Sequence, residues 1–186
     1  MNPIENKKDL EATIDEIRNY AYSYLEKYSP SKQQLRIFLF KKLIKKKQKI
    51  SSKGEAFNLI DSVISTLTDQ KLLSDKYYSD VKSKAFLRRG YSLNKIRYNL
   101  IKKGIDQKYI KASISKIKEN ESDPDFFSAI KLCKRRRIGP SREENNRSLF
   151  YKKDISILAR SGFDFETSKR VMDIEKDDYL RILSFL

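Results

Sequence analysis

Apolar residues recur at three- and four-residue steps along most of this chain, with polar and charged residues on the opposite face. Leu35 and Leu39, Ile96 and Leu100, Ile60, Ile64 and Leu67, and Ile110, Ile114 and Ile117 each form such a stripe. That period predicts amphipathic helices rather than strands. Read with their start and stop signals, the stripes predict helices near residues 9–28, 32–46, 55–70, 75–89, 93–103, 107–119, 124–137, 147–161 and 165–172, with a short last helix near 175–185.

The stripes repeat. Ser31, Leu35, Arg36, Leu39, Lys41 and Lys42 meet Ser92, Ile96, Arg97, Leu100, Lys102 and Lys103 at an offset of 61 residues. Each copy opens on a serine, whose hydroxyl can accept an orphan N–H of the first helical turn. A second pair, Tyr77 to Gly90 against Phe126 to Gly139, aligns at an offset of 49 and shares two aromatics, a serine, a lysine and a closing glycine. Ser74 and Asp75, and Asp123 before Pro124, are start signals for these two helices. A third pair sets Lys103-Gly104-Ile105-Asp106 against Ser161-Gly162-Phe163-Asp164 at an offset of 58. Here glycine ends one helix in the left-handed conformation, the apolar residue folds back and the aspartate caps the next helix.

Three tandem three-helix repeats follow, an all-α fold expected to form an elongated array whose curvature depends on the angle between copies. The expected division is an extension over 1–14, repeat one over 15–73, repeat two over 74–121, and repeat three with a C-terminal helix over 122–186. Changes of offset place inserted residues around Lys45 to Gly54 and at Pro140 to Ser148, both expected to be solvated loops. Tyr20, Tyr24 and Tyr28 are read as packing residues, and Tyr91 as a weak stacking candidate. Cys133 is read as a small buried packer.

Charge changes the picture from a generic helical array to one with a partner. The 186 residues carry 41 Lys and Arg against 25 Asp and Glu, a formal charge of +16. Such an excess suits a polyanion, most often nucleic acid, held through phosphate contacts. A lysine-rich composition explains part of the excess but not its placement. Basic residues close equivalent helices in copies two and three, before Gly90 and Gly139, which would lay the charge out as a stripe. The candidate DNA- or filament-binding residues, chosen on charge alone, are Arg88, Arg89, Lys102, Lys103, Lys134, Arg135, Arg136, Arg137, Lys152 and Lys153.

Candidate chemistry is sparse. Histidine, the commonest general base and metal ligand, is absent from the sequence, and the lone Cys133 has no histidine to activate it. The five glycines stand too far apart for a phosphate-cradling loop. No enzyme, no cofactor and no metal are expected. One cysteine excludes an intramolecular disulfide and suits a reducing compartment. Without an apolar run long enough to span a bilayer or an apolar signal core, a cytoplasmic protein off the membrane is expected.

The stretch from Leu72 to Asp106 resembles the most characteristic part of the RecX family of RecA regulators. Leu73, Asp75, Tyr78, Arg88, Arg89, Gly90, Ile96, Leu100, Lys103, Gly104 and Ile105 carry the resemblance, and Arg160-Ser161-Gly162-Phe163-Asp164 is similar to the family's closing motif. The likeness covers about residues 15 to 172 and is strongest in copy two. Ser79 departs from the alanine often found there, and the copy-one insertion is longer than usual. The resemblance implies three tandem three-helix repeats. It also implies a role in DNA repair, recombination and the SOS response, through binding in the groove of the RecA–DNA filament. Filament growth, ATP hydrolysis and strand exchange would be limited, with accessory binding to single- and double-stranded DNA, by a monomer without catalytic residues. A rival reading is a stand-alone nucleic-acid-binding protein using the corner at Gly104 or Gly162 as a helix-turn-helix. The helix after Gly104 argues against it, because it spends much of its surface on an apolar face and opens without an Arg or Asn row.

Overall fold

The computed structural model describes residues 3–45 and 53–186, and of residues 3–13 the backbone alone. Among the described residues every regular element is helical: ten α-helices and one 3-10 turn. The order is α1 (Pro3–Lys27), α2 (Lys32–Lys45), α3 (Lys53–Asp69), α4 (Asp75–Arg88), α5 (Leu93–Lys102), α6 (Gln107–Asn120), α7 (Pro124–Arg136), the 3-10 turn Gly139–Ser141, α8 (Glu144–Arg160), α9 (Phe165–Met172) and α10 (Lys176–Ser184). The contacts divide the chain into two compact units. One comprises residues 1–78 with 103–105, and the other comprises 79–102 with 106–186.

In the first unit α1, α2 and α3 pack together. The a/d-like stripes do the work: Ile17 and Ala21 from α1, Leu35, Leu39 and Leu43 from α2, and Ile60, Val63, Ile64 and Leu67 from α3 close a common core. Tyr24 stacks on Phe38 with ring centroids 4.1 Å apart, so the packing reading of that tyrosine holds. Tyr20 also lies against this core, whereas Tyr28 at the helix end is exposed. The N-terminus of α2 is a capping box: Gln34 donates its amide to Ser31 Oγ, and the Ser31 amide donates back to Gln34 Oε1. Ser31 Oγ also donates to the carbonyl of Lys103, at 2.7 Å, and the amide of Lys32 donates to Asp75 Oδ1, at 2.9 Å.

The second unit repeats this arrangement at equivalent residues. Lys95 donates its amide to Ser92 Oγ, Ser92 Oγ donates to the carbonyl of Ser161 at 2.9 Å, and the amide of Leu93 donates to Asp125 Oδ1 at 2.7 Å. One serine thus caps the start of one helix and satisfies a carbonyl at the end of another. Gly162 is required at that junction on two counts. Its φ of +88° lies in the left-handed region, and a Cβ there would stand 2.6 Å from Ser92 Oγ. Asp106 and Asp164 cap α6 and α9 by accepting from Lys108 and Thr167 amides, and Asp123 caps α7 with Pro124 at its first position. Ile110, Ile114 and Ile117 are buried as Ile60, Ile64 and Leu67 are. The remaining core gathers Ala129, Ile130, Leu132 and Cys133 of α7 with Leu158 of α8, Phe163, Val171 and Met172 around α9, and Tyr179 of α10.

Three expectations need correction. Gly139 does not close α7 as Gly90 closes α4. The left-handed closing residue is Arg137 at φ +54°, with the Ile138 amide donating to the Cys133 carbonyl. Gly139 opens the 3-10 turn two residues later, against Met172. Nor is Pro140 to Ser148 a solvated loop. Gly139 and Pro140 are buried, and α8 begins at Glu144 rather than near 147. The segment is held by Asp154, which has no exposed surface. It accepts from the Gly139 amide at 2.8 Å and from Arg142 Nε and Nη2 at 2.6 and 2.9 Å. Tyr179 Oη also hydrogen-bonds Ser141 Oγ, and Lys176 Nζ donates to the carbonyls of Pro140 and Arg142. Charged residues that read as loop in sequence are spent here on internal partners. Finally, α1 begins at Pro3 rather than near residue 9. The insertion around Lys45 to Gly54 falls mostly on residues 46–52, outside the described residues.

Candidate nucleic-acid interface

All ten basic candidates are exposed. The fold brings half of them into one neighbourhood of the second unit. α4 ends at Arg88, and Arg89 and Gly90 follow in a turn closed by Gly90 donating to the Leu87 carbonyl and Tyr91 to the Phe86 carbonyl. That turn lies directly on α7. A Cβ on Gly90 would meet the Ser128 carbonyl at 2.8 Å and the Leu132 amide at 3.0 Å, and its φ is +72°. Only glycine allows this approach, which sets the basic end of α4 beside the basic end of α7. The contact is explicit: Arg135 Nη1 donates to the Arg89 carbonyl. Arg136 and Arg137 follow in chain, the latter held in the left-handed turn.

Around Gly90 and Tyr91 these residues line an open pocket together with Lys95, Leu132, Arg135, Arg136 and Ser161. No carboxylate lines it. Cations are well placed at the C-terminal ends of α4 and α7, where the helix dipole is negative. Lys95 is a residue that charge clustering does not single out, since Asn94 and Ile96 flank it in α5 and it reaches the group only through the fold. Tyr91 lies parallel to Phe86 with centroids 5.2 Å apart, so one of its faces is already covered.

The other candidates stand elsewhere. Lys134 lies in the last turn of α7. Lys102 ends α5, its Nζ 4.5 Å from the centroid of the exposed Tyr98 ring. Lys103 belongs with the first unit, where its carbonyl meets Ser31. Lys152 and Lys153 project from α8, Lys153 over the Phe150 ring at 5.6 Å. Lys152 is roughly 13 Å back along that helix from Ser161 at 1.5 Å per residue. The copy-one lysines 46 and 47 lie outside the described residues.

Burial, with the charge of Asp154 adding to it, pushes the Cys133 thiol up to about 12, so it stays protonated at neutral pH. Among the described residues no group of His, Cys, Asp or Glu is placed to hold a metal ion, and no helix is long and apolar enough to cross a membrane. What the arrangement can do is attract and hold anionic surface.

No family model matches the chain. It is 28% identical over 164 residues to regulatory protein RecX of Myxococcus xanthus, covering 84% of each chain. It is 26% identical over 186 residues to regulatory protein RecX of Clostridioides difficile, covering 94% of this chain and 78% of the relative. The crystal structure of RecX from Lactobacillus salivarius shares the fold with a TM-score of 0.58 at 17% identity, over 93% of this chain and 97% of that one. Near-full-length sequence likeness to proteins of one name, on a fold shared with a solved structure of that name, agrees with the motif read between Leu72 and Asp106 and supports assignment to the RecX family of regulatory proteins.

Proposed function

We propose that this protein regulates the RecA recombinase by binding in the groove of the RecA–DNA filament, where it limits filament growth, ATP hydrolysis and strand exchange. The family supplies the partner, and direct contact with single- or double-stranded DNA is the accessory interaction. The observation that carries the DNA contact is the joining of the α4 and α7 basic ends at Gly90, with Arg135 bonded to the Arg89 carbonyl. Arginine suits this use because its planar fork binds phosphate bidentately, where lysine acts as a point charge. Lys102, Lys103, Lys134, Lys152 and Lys153 extend the field that draws the protein to its polyanionic target.

The test is RecA ATP hydrolysis on single-stranded DNA with this protein titrated in. Inhibition well below one molecule per RecA, persisting when the protein is added to preformed filaments, is the expected result. Inhibition only at amounts that coat all the DNA would mean competition for DNA and would overturn the proposal.

A further inference from the structure

Resting on that reading of the basic neighbourhood, we infer that the pocket between the Gly90–Tyr91 turn, the start of α5 and the end of α7 is a seat for a single backbone phosphate of nucleic acid. Three observations carry it. First, the pocket presents Lys95, Arg135 and Arg136 with no carboxylate in its lining. None of the described acidic residues pairs with Lys95 or Arg136, although acids pair with Arg18, Arg36, Lys116, Arg142, Arg147, Arg170 and Arg181 elsewhere.

Second, the carbonyls of Arg89 and Ser161 beside this place already have internal donors. Arg135 takes the Arg89 carbonyl after α4, and Ser92 Oγ takes the Ser161 carbonyl after α8. The dipole of α7 also favours Arg136 in its last turn, but among the described residues neither the Arg136 guanidinium nor the Lys95 ammonium has a hydrogen-bond or ion-pair partner. A guanidinium has five N–H donors, so Arg135, with one bonded to Arg89, keeps donors for a ligand. Third, the walls are fixed. Gly90 sits against α7 backbone at van der Waals limits, and Leu132 forms an apolar side. Three cations around a small concavity, on a chain of formal charge +16, fit a phosphodiester, whose oxygens a guanidinium fork can take bidentately.

The experiment measures binding of a fluorescent oligodeoxythymidylate across a salt series for the full chain, for Lys95→Gln with Arg136→Gln, and for Lys111→Gln with Lys118→Gln. The last pair removes the same charge from exposed positions of α6, which contributes nothing to the pocket. Losing the one seated phosphate lowers the slope of log K against log salt by about 0.7 for single strands. That drop is expected for the pocket pair and not for the α6 pair. Arg136→Lys should keep the slope while weakening affinity, since charge remains and the fork is lost. Equal slope losses in both pairs would mean a diffuse field and overturn the seat. An unchanged slope in the pocket pair, with binding to RecA protein lost, would mean that the surface meets protein and would overturn it as well. Inhibition of RecA ATP hydrolysis by the unmodified chain is scored separately. Its absence refutes the regulatory reading, while an unchanged slope with inhibition intact refutes the seat alone.

Discussion

Asp154 shows how one residue decides whether a charged segment is loop or structure. Burial pushes its carboxyl up, but the Arg142 fork and the Gly139 amide outweigh that and hold it below the ordinary value of 3.8. A depressed folded value means that its contribution is complete at pH above about 4, and is lost as the pH falls through the lower folded value. Asp154→Ala leaves a guanidinium and a buried amide unpaired. Because Arg142 is partly exposed and can turn to solvent, the expected loss is about 3 kcal/mol, near the lower end for a broken buried pair. Urea unfolding at pH 7 checks it, and the difference from the unmodified chain should shrink as the pH drops below 4. Arg137 makes the opposite prediction. A non-glycine residue in the left-handed region is strained, so Arg137→Gly should stabilise by about 0.5–1 kcal/mol while removing a cation. A rise in thermal midpoint with weaker DNA binding is expected, and a fall would contradict the geometry assigned to α7's end.

Helix ends, rather than helix interiors, carry most of what is particular to this fold. Asp75 and Asp125 accept backbone amides at the starts of α2 and α5, and burial raises both carboxyls above 3.8, against the lowering effect of those same hydrogen bonds. A raised folded value has the reverse sign: the group favours the folded state at low pH, and that contribution is lost as the pH rises through the folded value. Asparagine keeps the acceptor without the charge. Asp125→Asn should thus leave stability at pH 7 unchanged or slightly higher, whereas Asp125→Ala should cost about 1 kcal/mol. Chemical denaturation of the two variants separates the cases. These ends were the most legible part of the sequence where the signal is local. Ser31, Ser92, Asp106 and Asp164 each accept an amide within three residues, although the carbonyls that Ser31 and Ser92 also satisfy lie far along the chain. Legibility failed where a distant partner decides. Gly139 looked equivalent to Gly90 by identity, but α7 ends earlier because Arg137 accepts the left-handed turn and Asp154 claims the Gly139 amide. No periodicity announces an Asp–Arg pair that folds a 3-10 turn onto α8.

For the whole molecule, the formal charge of +16 predicts attraction to a polyanion but not where contact is made. Charge runs single out Arg88, Arg89 and Arg135 to Arg137 as candidates, because each run lies at a helix end. The sequence could not show that α4 and α7 end side by side, since that depends on Gly90 lying against the α7 backbone. Lys95 was invisible for the same reason. The partner is a property that neither charge nor packing names, and the proposed one rests on the likeness to RecX proteins. The central claim is that the protein acts on the RecA filament itself. It is tested most directly by watching RecA filaments extend along single DNA molecules with this protein added after nucleation. Growth should slow or stop at amounts far below one molecule per RecA. Growth that continues unchanged until the protein covers the bare DNA ahead of the filament would contradict the account.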